Sequence, residues 1–75
     1  MTRKELGQKI KATRKEHGLS QKEVAEELKL STGKLSRIEN GVSMIGMSKL
    51  EKFVALCGID LEEFLEIRGD NNDGA

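Results

Sequence analysis

Thr32, Gly33, Ser36 and Arg37 recur at the three- and four-residue spacing that lines one face of a helix, with Lys34 on its flank. Their chemistry is hydrogen bonding rather than bond breaking. An arginine guanidinium is planar and can donate twice to an edge that carries two acceptors, as O6 and N7 of guanine do. Serine and threonine add short hydroxyls, and threonine a methyl. Groups suited to covalent or metal chemistry are scarce. Cys57 is the only cysteine and His17 the only histidine, so no internal disulfide and no usual set of metal ligands can form. No nucleophile, base and orienting group stand together, no glycine-rich phosphate loop is present, and so small a chain leaves little room for a pocket. No cofactor, no metal and no enzymatic activity are expected. His17, beside Gly18, reads as an exposed residue at a helix end, where an imidazolium complements the helix dipole. Cys57 reads as a small core residue.

Reading side chains need a helix held at a fixed angle. The stretch from Leu19 to Gly41, LSQKEVAEELKLSTGKLSRIENG, provides two short amphipathic patterns with three residues between them. That spacing is a helix-turn-helix signal. Ser20-Gln21-Lys22-Glu23 is a capping box that opens the first of the two, with Val24, Ala25 and Leu28 inward. Ala25 is small enough to let another helix approach closely. Lys29-Leu30-Ser31 makes the turn, Leu30 pointing inward and Ser31 capping the next helix, which runs from Thr32 to Glu39 with Leu35 and Ile38 inward. Asn40-Gly41 stops it. Upstream, Lys4 to His17 forms a helix whose inner stripe is Leu6, Ile10 and Thr13 or Arg14, ended by Gly18. Gly7 inside it costs about 1 kcal/mol relative to alanine, a cost that close packing against it would explain. Downstream, Leu50, Phe53, Val54 and Cys57 mark a fourth helix from Met47 or Ser48, closed by Gly58. Asp60 and Glu63 open a fifth.

The fold class that follows is all-α, a compact five-helix bundle with a helix-turn-helix formed by helices 2 and 3. At 75 residues there is room for one domain. The apolar share is 36%, Phe53 and Phe64 are the only aromatics and proline is absent, which suits a helical bundle and not a β fold. Residues 1–68 are expected to form the domain and residues 69–75, GDNNDGA, a disordered polar tail. No apolar run approaches the roughly 18 residues of a membrane span, and the N-terminus lacks a signal-peptide core, so no membrane partner and a cytoplasmic location are expected. The Met start and polar tail suit a complete small chain. Net charge is zero and the sequence pI is 6.6, whereas nucleic-acid binders are often basic. The charges are unevenly spread, however. Residues 1–37 carry ten Lys/Arg against five Glu, net +5, and residues 38–75 carry three against eight acids, net −5. A basic half of this kind can face phosphate while the acidic half points away.

These residues resemble the lambda-repressor-like helix-turn-helix domains of the Cro/C1 or XRE type, over roughly Leu6 to Leu65. The family's motif begins with a glutamine, here Gln21, has a small residue at Ala25, and has apolar positions matching Val24, Leu28, Leu30, Leu35 and Ile38. Its helix 3 ends as the IENG of Ile38 to Gly41 does. The resemblance implies an ion pair between Arg14 and Glu39, joining helix 1 to helix 3. Three departures stand out. The family usually has glycine where this chain has Lys29, and lysine in a left-handed conformation is strained. Gly33 lies where the family often has a polar base-contacting side chain. The loop before helix 4 lacks the frequent proline and carries Met44, Ile45 and Met47, either as core or as a contact surface.

A major groove is about 12 Å wide and admits one helix. With helix 3 in it, Thr32, Gly33, Ser36 and Arg37 become the expected base contacts, Arg37 to guanine and Thr32 and Ser36 to a base edge or a thymine methyl. Gln21, Ser31, Lys34, Asn40 and Ser43 become the expected phosphate contacts. One such domain reads few base pairs, so a homodimer on a palindrome is expected. Leu61, Phe64, Leu65 and Ile67 are too many apolar residues for a last exposed turn. Some should finish the core and some meet a second copy. The expected function is a sequence-specific transcriptional regulator, most often a repressor, with double-stranded DNA as partner. The alternative is a protein-interaction module, an antitoxin or adaptor, engaging a protein partner through Met44, Ile45 or helix 5.

Overall fold

The computed structural model describes residues 1–66. Its helices are α1 Arg3–Glu16, α2 Gln21–Leu28, α3 Thr32–Glu39, α4 Met47–Cys57 and α5 Leu61–Leu65. Hydroxyl or carboxylate side chains start four of the five. Thr2, Ser20, Ser31 and Asp60 accept from the amides of Glu5, Glu23, Lys34 and Glu63, satisfying donors that an open helix end leaves unpaired. At Thr2 and Ser20 the glutamate three residues on closes a full capping box. The Thr2 amide donates to Glu5 at 2.7 Å, and this bond first of all holds the exposed Glu5 carboxyl below its usual range. Expected tail residues 69–75, and Ile67, lie outside the described residues.

Four helix ends close in one way. Leu19, Leu30, Val42 and Ile59 each donate an amide back to the carbonyl five residues earlier, Arg14, Ala25, Arg37 and Val54 respectively. This closure needs a left-handed residue just before the donor. Gly18, Gly41 and Gly58 fill that position three times, but in the helix-turn-helix Lys29 does so with φ 59° and ψ 43°. The turn therefore keeps its shape without glycine, and a Cβ suffers the strain. Lys29→Gly is expected to raise the unfolding free energy by about 1 kcal/mol, seen as a rise of about 4 to 8 °C in Tm followed by circular dichroism. An unchanged or lower Tm would mean that the turn relaxes around the lysine.

The core draws on every helix. Ile10 of α1, Val24 and Leu28 of α2, Leu35 of α3, Phe53 of α4 and Phe64 of α5 are fully buried, with Ala25, Ile38 and Leu50 close behind. Leu6, Leu19, Leu30, Ile59 and Leu61 pack partly buried around them. Thr13 and Arg14 are both buried, so the inner stripe of α1 takes both. Of the apolar loop, Ile45 is core, whereas Met44 and Met47 are exposed.

Phe64 requires a correction. Expected at an interface with a second copy, it is 0% exposed, its ring edge-on to Phe53 with centroids 6.0 Å apart and planes at 80°. A helix of five residues has little more than one inward position, and the largest apolar side chain takes it. Leu65 stays exposed and Leu61 half-buried.

Candidate nucleic-acid interface

The outer face of α3 arises from its inner one. Leu35, Ile38 and Glu39 are buried, which fixes the helix roll and turns Thr32, Gly33 and Arg37 outward, with Ser36 half-buried on the same face. Ser31 Oγ accepts from the Lys34 amide at 3.0 Å and starts the helix. At its other end the Arg37 carbonyl accepts from the amides of Val42 and Ser43 at 2.8 and 3.2 Å. The backbone of Arg37 is thus clamped while its guanidinium, in an exposed residue, makes no hydrogen bond or ion pair among the described residues. A Cβ built on Gly33 would meet nothing within 4 Å. The fold itself therefore does not require glycine there.

Inside, α3 is tied to two other helices by one carboxylate. Glu39 Oε2 accepts from Arg14 Nε at 2.7 Å, and Oε1 accepts from Arg14 Nη2 at 3.2 Å. Both residues are buried, Arg14 at 8% and Glu39 at 3% exposure. Arg14 Nη1 also donates to the Leu19 carbonyl at 3.0 Å. Gln21, the first residue of α2, donates from Nε2 to Glu39 Oε1 at 3.0 Å. Sequence reasoning missed this bond, because a contact between residues 18 apart leaves no local pattern. It also missed Lys49 Nζ donating to the Leu28 carbonyl at 2.9 Å, which satisfies the end of α2 from α4, and Lys9 Nζ donating to the Leu65 carbonyl.

The remaining expected backbone contacts flank the same face. Ser31 and Asn40 are exposed at the two ends of α3, and Lys34 and Ser43 are half-buried beside it. Elsewhere the chemistry is thin. His17 Nδ1 lies 2.9 Å from the Thr13 carbonyl, an acceptor, so that nitrogen carries the proton. Burial pushes the Cys57 thiol up, away from the reactive thiolate. An open depression is lined by Glu27, Lys52, Ala55 and Leu56. Among the described residues no group of His, Cys, Asp or Glu is placed to hold a metal ion, and no helix is long and apolar enough to cross a membrane.

Comparison with known proteins points the same way. The helix-turn-helix family profile matches residues 10–64. No curated protein matches the sequence significantly. Among solved structures, the clp gene regulator ClgR from Corynebacterium glutamicum is 26% identical with a TM-score of 0.80, over 88% of this chain and 85% of that one. SinR, the master regulator for biofilm formation, in a crystal structure with DNA, is 34% identical with a TM-score of 0.69, over 80% of this chain and 97% of that one. A complex of SinR with SinI matches at 32% identity and a TM-score of 0.66, over 91% of this chain and 63% of that one.

Proposed function

The chain belongs to the helix-turn-helix family of the Cro/C1 (XRE) type, a family of non-enzymatic DNA-binding transcription regulators, and from that premise we propose that it is a repressor that binds a palindromic operator as a homodimer in the cytoplasm. The observation that carries this reading is the outer face of α3, whose roll is fixed by buried Leu35, Ile38 and Glu39 and whose exposed arginine has no partner among the described residues. In the major groove, Arg37 donates twice to a guanine, Thr32 and Ser36 meet a base edge or a thymine methyl, and Gly33 lets the duplex come close. Gln21, Ser31, Lys34, Asn40 and Ser43 hold the sugar-phosphate backbone and set the register. The second copy is met through the exposed Leu65, with Leu61 beside it. Ile67 joins them in this proposal but lies outside the described residues. A dimer of this kind spaces its half-sites about 34 Å apart or a multiple of it.

The test is selection of binding sites from random duplex DNA, followed by titration at rising salt. A palindromic consensus bound with steeply salt-dependent affinity is expected. Binding indifferent to both sequence and salt would sink the proposal. On the selected site, Arg37→Ala should cost about 1 to 3 kcal/mol and relax specificity at one position of each half-site; a uniform loss at every sequence would reassign Arg37 to the backbone.

A protein partner is a second reading, favoured by the likeness to SinR in its complex with SinI. Exposed Met44, in the loop after α3, and Met47, at the start of α4, offer the surface for it, and the role coexists with DNA binding.

A further inference from the structure

Glu39 has one more partner than an ion pair needs. We propose that it is a positioning residue for the DNA backbone contact. By accepting one N–H of Gln21, it fixes the carboxamide and leaves the second N–H of the same nitrogen for a phosphate oxygen. The proposal rests on the reading of Gln21 as a phosphate contact.

A glutamine side chain has two ends of nearly the same shape, and only the NH2 end can donate to phosphate, which has no proton to give. In a half-exposed residue both ends would be sampled, and ordering the right one on binding would cost affinity. A carboxylate accepts only, so Glu39 selects the NH2 end. Glu39 is itself immobilised, being buried and gripped twice by Arg14, which is anchored in turn on the Leu19 carbonyl. The relay thus runs from the end of α1, through the last residue of α3, to the first residue of α2. Glu39 never touches DNA in this scheme. The negative charge that it brings toward the phosphates is balanced by Arg14, so the pair positions Gln21 without net repulsion.

The decisive variant replaces both charges, Arg14→Met with Glu39→Met. Net charge is unchanged, no charge is stranded, and apolar replacements of buried ion pairs are often well tolerated. Three proteins are titrated with the selected duplex at one salt concentration: Gln21→Ala alone, the methionine pair, and the two combined. Gln21→Ala alone is expected to weaken binding about ten- to a hundredfold on every sequence, the loss of a hydrogen bond to a charged group. The methionine pair, still folded by circular dichroism, should weaken it by a similar factor, and adding Gln21→Ala to it should change affinity by less than about twofold, since coupled residues are not additive.

If Gln21→Ala weakens binding while the methionine pair binds as the native protein does, Glu39 has only a structural role and this proposal alone is overturned. Losses that simply multiply overturn it as well. If Gln21→Ala has no effect on the native background, the phosphate role of Gln21 fails and this proposal with it. Should the methionine pair not fold, NMR on the native protein decides: one of the two Gln21 side-chain amide protons should exchange with solvent more slowly than the other, and equally fast exchange of both overturns the proposal.

Discussion

Glu39→Ala is expected to lower the unfolding free energy by about 3 to 5 kcal/mol, measured by urea denaturation. The size follows from what is left behind rather than from the bond that is lost. With the carboxylate gone, the Arg14 guanidinium stays in a residue only 8% exposed, with one remaining partner among the described residues, the Leu19 carbonyl. It must then either remain charged in a poor solvent or pull the end of α1 outward to reach water. For a domain of this length total stability is on the order of 4 to 11 kcal/mol, so the variant should lose a large share of it. An ion pair at the surface would give at most about 1 kcal/mol, screened by salt; a loss that small, or one abolished by molar salt, would show that the pair is open to solvent. Arg14→Ala should cost a similar amount, and the two alanine changes together less than their sum, because the second removes the charge that the first one stranded.

This pair shows how far the sequence could be read. Patterns that act within one turn were open to reading. Ser20 with Glu23, Ser31 before Thr32, and Gly18, Gly41 and Gly58 after their helices set the observed element ends, and the i, i+3, i+4 spacing of Leu50, Phe53 and Val54 gave the inner face of α4. Even here a signal was passed over. Thr2 and Glu5 are spaced as a capping box and start α1 at Arg3, one residue before the expected Lys4. Reach across the bundle was harder. Gln21 on Glu39, Lys49 on the Leu28 carbonyl and Lys9 on the Leu65 carbonyl join residues 18, 21 and 56 apart. Such bonds depend on how helices cross, which no local periodicity encodes. Division of labour among apolar residues was equally out of reach. Ile45 enters the core while Met44 and Met47 do not, and Phe64 fills the inward position of α5 while Leu65 does not. Hydrophobicity says that a residue can be buried, but packing decides which one is.

Gly7→Ala sets two effects of opposite sign against each other. In the interior of α1, alanine is the better helix former by about 1 kcal/mol, and on propensity alone the substitution would stabilise the domain. Gly7 is buried, and a Cβ there would stand 2.2 Å from the carbonyl oxygen of Ile38 and 2.7 Å from that of Glu39. Both neighbours are backbone at the end of α3, where no side-chain rotation can relieve the overlap. Relief requires α1 and α3 to separate by about an ångström, and overpacking of this kind costs about 1 to 3 kcal/mol, sometimes more. Separation also pulls on the Arg14–Glu39 bonds that hold the same two helices together. The steric effect therefore wins, and a net loss of about 2 kcal/mol or more is expected in urea denaturation, the upper end of the overpacking cost less the propensity gain. On a background that already lacks Glu39, the same substitution should cost less, since α1 and α3 are then freer to part. A stability gain in the native background would mean that the two helices do not pack at this glycine. Gly7 and the buried pair would then not be two fasteners of one joint, and the roll of α3 would have to be fixed by Leu35 and Ile38 alone.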